Sequence, residues 1–348
     1  MRPLYIHQSL CISPQHTFAA IDLEIVNGPK DNKMEVQEPN YPGIPAGALR
    51  RMGKAIRMGV GAAMPLVKEA ILDGVIIGTA NGGMEDCIKF LNQIIDYDEG
   101  KLTPGNFVGS TPNAIAAQVG LITKNKQYNI THVQNGLSFE NALLDAMMLA
   151  DEHNESSYLL GAVDEISDYN YNIDWLAGWY KQEAFEDPDF YKAETTGSIA
   201  GEGAAMFVVN GAKENAVAAV DAILFFHAED ENLIKAELKS FLQEYLPDGE
   251  MIDLFLTGEN GDSRYTKYYE VAGSLFNDQT TVARYKHFTG EFPTSSAIAC
   301  WLACKVLEHQ KISSHFVKKP GANTSFKNVL IYNHYKGRQQ SFMLLSMP

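Results

Sequence analysis

Residues 128–165 constrain the fold of this chain most, because they read as strand, sharp turn, helix and strand in immediate succession. The segment YNITHV has the β-branched and aromatic residues of a strand, and Asn135-Gly136 supplies turn chemistry. A helix is predicted from Phe139, since apolar residues then recur at helical spacing. The run SYLLGAV is almost continuously apolar, as in a parallel strand covered on both faces. This order of elements is typical of an α/β fold.

Composition indicates a globular protein and excludes several classes of partner. The chain has 348 residues, of which 45% are hydrophobic and 20% charged, enough for one large or two medium domains. A net charge of −15 argues against nucleic acid and against an anionic membrane surface, because both need clustered Lys and Arg. No signal peptide or membrane-spanning run is recognisable, and the cysteine usage fits reduced thiols. We therefore expect a cytoplasmic protein.

The sequence predicts neither a metal site nor a cofactor. Cys300 and Cys304 are spaced as neighbours on one helix face, but no further His or Cys accompanies them, so core packing is the expected role. The glycine-rich turn at residues 78–83 lacks the lysine and the spacing of a phosphate-binding loop. A nucleotide or metal cofactor is thus not expected.

Three further segments carry a resemblance to a known family. Residues 74–83 read GVIIGTANGG, residues 201–209 read GEGAAMFVV, and residues 286–291 read KHFTGE. These segments resemble the "G-V-V-V-G-T-G-x-G-G", "G-E-G-A-G-x-L-V-L" and "K-x-x-x-G-H" motifs of the β-ketoacyl synthases. The strand, turn and helix around Asn135 likewise resemble the elbow that carries the nucleophilic cysteine in that family. The resemblance extends from about Leu4 to the end of the chain.

The resemblance implies a thiolase-like fold. In this fold two α/β halves pack pseudo-symmetrically in five layers, αβαβα. Here the N-terminal ketosynthase-like half is expected at residues 1–214 and the C-terminal half at residues 215–348. The second half is predicted to begin with a strand, Ala216 to Phe226, and a helix, Asn232 to Tyr245, which repeats the order of the first half.

All three catalytic positions of the family differ in this chain. Alignment without gaps places Leu137 at the cysteine position, and a shift of one residue places Ser138 there. Gly258 stands where the family has its first catalytic histidine, and Glu291 replaces the second. The histidines of the family stabilise the enolate that forms when carbon dioxide leaves, so an ionised Glu291 would repel that charge. Lys286 is close enough in sequence to form an internal ion pair with Glu291.

Other residues are expected near the acyl chain or at a subunit interface. Eight residues are expected to line an acyl tunnel. They come from the elbow segment, the family lysine, the replaced histidine and the C-terminal glycine-rich turn: Gln134, Asn135, Leu137, Ser138, Phe139, Lys286, Glu291 and Tyr335. The helix before the elbow strand resembles the family helix at the dimer interface, which implies interface roles for Thr111, Pro112, Asn113 and Gln118.

Two functional hypotheses follow from the resemblance. The first is a catalytically silent, chain-length-factor-type subunit that forms a heterodimer with an active ketosynthase and shapes its acyl tunnel, in aryl polyene, polyketide or fatty-acid-type chain elongation. Its acidic surface suggests that acyl carrier protein, itself acidic, docks through the partner. The second is a divergent 3-oxoacyl-carrier-protein synthase or acyltransferase that uses Ser138, Glu291 and a histidine, with His132 and His287 as the nearest candidates for the base. A structural homodimer that binds an acyl chain is a third possibility.

Overall fold

The computed structural model describes residues 1–68 and 72–348. Thirteen strands occur in these ranges: β1 (Leu4–Ile12), β2 (Lys33–Met34), β3 (Gly74–Gly78), β4 (Tyr128–His132), β5 (Tyr158–Asp164), β6 (Ala200–Gly201), β7 (Gly203–Asn210), β8 (Ala218–His227), β9 (Leu254–Thr257), β10 (Thr281–Arg284), β11 (Val317–Lys319), β12 (Asn328–Tyr335) and β13 (Gln339–Ser346). The α-helices of the same ranges are α1 (Ala46–Leu49), α2 (Lys54–Val67), α3 (Met84–Asp96), α4 (Pro104–Gly109), α5 (Ala114–Thr123), α6 (Ser138–Glu152), α7 (Asp168–Leu176), α8 (Glu231–Tyr245), α9 (Thr266–Gly273), α10 (Lys286–Thr289) and α11 (Ser296–His309).

Eleven strands form one mixed sheet in the order β11-β10-β9-β12-β13-β8-β1-β7-β5-β3-β4. The same arrangement occurs twice. In the first half the parallel strands β4, β3 and β5 are followed by antiparallel β7 and β1, and in the second half β10, β9 and β12 are followed by β13 and β8. The two copies meet where β1 pairs with β8. The expected duplication of α/β halves is therefore present, while the domain boundary after residue 214 stays a prediction.

Buried side chains define five layers. Alternate residues of β3 face opposite sides of the sheet, so that Ile76 points to one core and Val75 and Ile77 to another. The first core contains α6 and α11 between the two halves of the sheet, and the second lies under α2 and α5. A third core lies under α8 and α9 on the opposite outer face. The order of layers is thus αβαβα.

Most elements predicted from the sequence are present, with one correction. The sequence also predicts a helix from Ala55 to Leu72, closed by Gly74. This helix corresponds to α2, and the part of the prediction at residues 69–71 lies outside the described residues. The role predicted for Gly74 is wrong, because this residue begins β3. A Cβ on Gly74 would meet Tyr128 and Tyr158 of the flanking strands at 3.1 Å, so glycine permits close strand packing there. Both Cys300 and Cys304 pack in the central core, as predicted.

No helix in the described ranges is both long and apolar enough to cross a membrane.

Candidate functional site

The elbow lies between the end of β4 and the start of α6. A 3-10 turn, Asn135–Leu137, joins the two elements, and Asn135 adopts the left-handed conformation with a φ of +51°. Gly136 packs directly under the Tyr335 ring, where a larger side chain would collide with it. The backbone of Gly136 also donates to Gln339 Oε1 at 2.9 Å, and Gln339 donates to the carbonyl of Gln134 at 3.2 Å. The C-terminal hairpin β12–β13 therefore holds the elbow in place.

Ser138, the candidate nucleophile, has its hydroxyl in a structural role. Ser138 is fully buried, its Oγ donates to the carbonyl of Asn135 at 2.8 Å, and it accepts from the backbone N–H of Gln134 at 2.8 Å. Both bonds close the turn at the start of α6. Neither predicted base bonds to it: His132 contacts Asp145 at 3.0 Å, and His287 contacts Tyr191 and His315. The hydroxyl thus lacks both access and a base.

The tunnel residues predicted around the elbow divide into two groups. Gln134 and Asn135 are exposed at the end of β4. Leu137 and Phe139 are buried with Ser138, and Phe139 packs in the central core with its ring 6.0 Å from that of Phe207. In the isolated chain only the first group can contact a ligand or a partner.

Gly258, which the resemblance places at the first family histidine, has no room for a side chain. A Cβ there would collide with the amide oxygen of Asn333 and meet the Tyr269 hydroxyl at 3.0 Å. Asn333 also accepts a hydrogen bond of 3.2 Å from Tyr285. Tyr269 packs against Tyr332, with 4.9 Å between the ring centroids. Buried polar and aromatic side chains therefore fill the space that an imidazole would need.

Glu291, at the second histidine position, forms the ion pair predicted from the sequence. Lys286 Nζ lies 2.7 and 2.6 Å from the two carboxylate oxygens of Glu291, and both residues are buried. Asn260 donates to Oε2 of the same carboxylate at 2.7 Å. Burial lowers the pKa of Lys286, and the adjacent Glu291 carboxylate counteracts this effect. Such a carboxylate accepts hydrogen bonds and cannot donate one to an oxyanion, as a histidine can.

A small cleft lies above this ion pair and is separated from the elbow. It holds only about 20 Å³, room for about one water molecule, and aromatic side chains close it: Trp179, Tyr180, Tyr265 and Tyr335. Tyr335 lies between the two parts of the site, because it packs on Gly136 and also lines the cleft of Glu291. The candidate positions are thus near one another but do not share an open pocket.

One buried carboxylate that the sequence analysis did not single out lies at the end of a parallel strand. Asp164, at the end of β5, accepts hydrogen bonds from Thr79, from the N–H groups of Ala80 and Asn81, and from Thr294 in the loop before α11. Burial raises its pKa to about 6, and these hydrogen bonds oppose the rise. Asp164 therefore ties the glycine-rich turn to the second half. Its partners are far apart in sequence, so no local pattern indicates this role.

The residues predicted at an interface lie beside β4, which is an edge strand of the sheet. Thr111 and Asn113 are exposed, Pro112 and Gln118 are half-buried, and Asn113 accepts from Thr131 of β4 at 3.0 Å. Exposed apolar side chains surround the same edge. They include Tyr128 on β4, Val133 after it, Leu121 on α5 and Met148 on α6. We call this surface the β4 face.

Within the described ranges, no group of three or more His, Cys, Asp or Glu side chains is arranged to hold a metal ion.

Comparison with known proteins agrees with this architecture. Residues 26–175 match the sequence profile of the β-ketoacyl synthase N-terminal domain. A β-ketoacyl synthase from Burkholderia phymatum STM815 superposes over 100% of both chains with a TM-score of 0.79 and 14% identity. A ketosynthase in complex with its chain length factor, from Xenorhabdus doucetiae, gives a TM-score of 0.75 at 12% identity over 100% of this chain and 98% of the other.

The ishigamide ketosynthase/chain length factor gives a TM-score of 0.70 at 15% identity over 99% of both chains. No curated protein sequence matches significantly. Residues 26–175 therefore match a β-ketoacyl synthase domain in sequence, and the chain has the thiolase-like fold of these structures.

Proposed function

We propose that the chain is a catalytically silent subunit of the chain-length-factor type, which pairs with an active ketosynthase. The observation that carries this proposal is the state of the three catalytic positions. The elbow has no thiol and its serine hydroxyl is used by the turn, Gly258 has no room for a side chain, and Glu291 is neutralised by Lys286. Decarboxylative condensation needs a nucleophile and donors to the developing enolate, and neither is present.

The β4 face supports the pairing. An edge strand offers unpaired backbone N–H and C=O groups, and exposed apolar side chains beside it favour association with a second subunit. Two of the similar structures are described as a ketosynthase with its chain length factor. A homodimer through the same face is the competing arrangement.

The exposed end of the elbow supports a role at the acyl tunnel. Gln134 and Asn135 follow β4 directly, so a subunit that pairs with β4 would cover them. We assign them to the tunnel wall, with Leu137, Ser138, Phe139 and Tyr335 as the packed layer behind them. We assign the ion pair of Lys286 and Glu291 to the space beneath this packed layer. The product class, whether aryl polyene, polyketide or fatty acid, is part of the proposal, as is a cytoplasmic complex.

Acyl carrier protein is assigned to the partner subunit. Carrier proteins of this family are acidic, and this chain has a net charge of −15, so direct docking would bring like charges together.

Carbon dioxide release from malonyl-carrier protein tests whether the chain is catalytically silent. The purified chain alone should release none above the protein-free rate, and the ketosynthase purified alone serves as the positive control. Release by the isolated chain that is lost in Ser138→Ala would contradict the proposal and establish the acyltransferase hypothesis. No contact of Ser138 favours that hypothesis at present.

A further inference from the structure

A second cleft, larger than the one above Glu291, opens on the other side of the loop after β9. Its volume is about 460 Å³, within the range of small-molecule sites. It lies where the parallel strands β9 and β10 end, and ligands of α/β proteins commonly bind at the carboxyl ends of parallel strands. Arg284 is the last residue of β10, and Glu259 follows β9 by two residues.

Arg284 is held in this cleft with its donors uncommitted. Its guanidinium lies 3.8 Å from the centre of the Tyr191 ring, which fixes its orientation. It donates no hydrogen bond to any residue that the structure describes, and its Nε is buried. The nearest carboxylate oxygen, on Glu259, is 3.8 Å away, too far for a hydrogen bond. A planar, fixed and uncommitted guanidinium is suited to bidentate binding of an oxyanion.

Tyr269 lines the cleft with its ring. Its side chain is 3% exposed, and its hydroxyl is buried beside Gly258, so the ring and not the hydroxyl faces a ligand.

The neighbouring relay keeps Tyr191 in place. His315 donates from Nε2 to the carbonyl of Leu23 at 2.6 Å, so its Nδ1 accepts from His287 at 2.9 Å. His287 Nδ1 then accepts from the Tyr191 hydroxyl at 3.2 Å. Burial first, then the positive charge that His315 carries when protonated and that of Arg284, lower the pKa of His287 to about 3, so His287 is neutral. The hydrogen bond to His287 holds the Tyr191 side chain in place, and the Tyr191 ring then packs against the guanidinium of Arg284.

The charges in the cleft indicate what charge a ligand should carry. Lys318 is paired with Glu259 at 2.7 Å, and Asp262 is paired with Arg264, so Arg284 is the one cation in the described lining without a short ion pair. A single negative charge matches it, whereas a phosphate dianion would also meet Glu259 and Glu194. Rings of Tyr191, Tyr265 and Tyr269 offer apolar walls. We propose that this cleft binds a small monocarboxylate with an apolar body, its carboxylate on Arg284 and its body against these rings.

The experiment titrates the full chain with acetate, hexanoate and benzoate, each beside its uncharged amide, and with inorganic phosphate, by calorimetry and saturation-transfer NMR. At least one carboxylate should bind while its amide does not. Arg284→Gln should weaken that binding about ten- to a hundredfold, the range for a lost hydrogen bond to a charged group. Arg284→Lys, which keeps the positive charge but loses the planar pair of donors, should weaken it by a smaller factor.

Arg2→Gln, an equal charge change at an exposed residue outside the cleft, is the matched control and should bind as the wild type does. If Arg284→Gln does not fold, Arg284→Lys still tests the site. The proposal is overturned if no carboxylate binds better than its amide, if phosphate binds instead, or if the variant of the cleft that folds retains wild-type affinity.

Discussion

At the scale of single residues, the buried ion pair between Lys286 and Glu291 is a structural contact at a position where the resemblance implies a catalytic histidine in the family. Its geometry is close, and Asn260 satisfies a further lone pair of the carboxylate. A buried ion pair gains little over apolar packing, but removing one partner leaves an uncompensated charge. A substitution of Glu291 alone should therefore destabilise the protein, because Lys286 would be left without its partner.

Lys286→Met should destabilise the chain by about 3–5 kcal/mol, because Glu291 would remain buried without its cation. The double variant Lys286→Met/Glu291→Leu should lose clearly less stability than the single variant, because no buried charge of the pair remains. Urea unfolding followed by circular dichroism measures both. The control is Lys192→Met, which breaks an exposed pair with Asp189 and should leave stability unchanged. Equal losses in the single and the double variant would show that the ion pair is not the cause.

Glu140 is a second buried carboxyl group that no sequence motif indicates. It lies on α6, its Oε1 accepts from Ser341 at 2.9 Å, and its Oε2 has no partner among the described side chains. Burial raises its pKa from the ordinary 4.5 to about 7. The native state therefore holds this proton more tightly than the unfolded state, so the contribution of Glu140 to stability is fullest below pH 4.5 and falls as the pH rises to about 7.

Glu140→Gln removes this titration. Relative to the wild type, the variant should gain about 3 kcal/mol of stability between pH 4.5 and pH 7.5, since each pKa unit corresponds to about 1.4 kcal/mol. Denaturant unfolding at the two pH values measures the difference. Glu152→Gln, an exposed glutamate on the same helix, should follow the wild-type profile. A constant difference between Glu140→Gln and the wild type would mean that Glu140 is already ionised at low pH.

At the scale of elements, local pattern predicted the elbow and its two strands, because period and turn chemistry are local properties. Residues 157–163 were expected as a strand buried on both faces, and β5 is fully buried. The sequence could not show that β4 is an edge strand, since sheet order depends on pairing between distant segments. Nor could it show that Asn333 and Tyr269 occupy the space beside Gly258. Site geometry was thus less predictable than element type.

Val133→Lys should weaken the complex with a partner ketosynthase about tenfold or more, because it places a charge in the β4 face beside the strand edge. Val133 is 48% exposed, so the stability of the isolated chain should not fall. Sedimentation equilibrium of the complex measures the effect. Leu233→Lys on α8, where the leucine is 44% exposed, is the matched control. If both variants associate alike, the β4 face is not the contact.

At the scale of the whole molecule, the motifs were sufficient to predict the fold because they are distributed from β3 to β12. The five layers and the repeated strand order are those of the thiolase-like fold. The central core draws on strands from both halves and on α6 and α11, so it joins the two halves into one molecule. Under the proposed function, the chain needs only this scaffold and an exposed strand edge, because it acts by binding a partner ketosynthase.

Native mass spectrometry after co-expression with the ketosynthase encoded beside this chain tests the central claim most directly. We expect a one-to-one heterodimer in preference to a homodimer, with the chain present once per complex. A stable homodimer that excludes every such ketosynthase would contradict the account, and the function would then have to be sought in the chain alone.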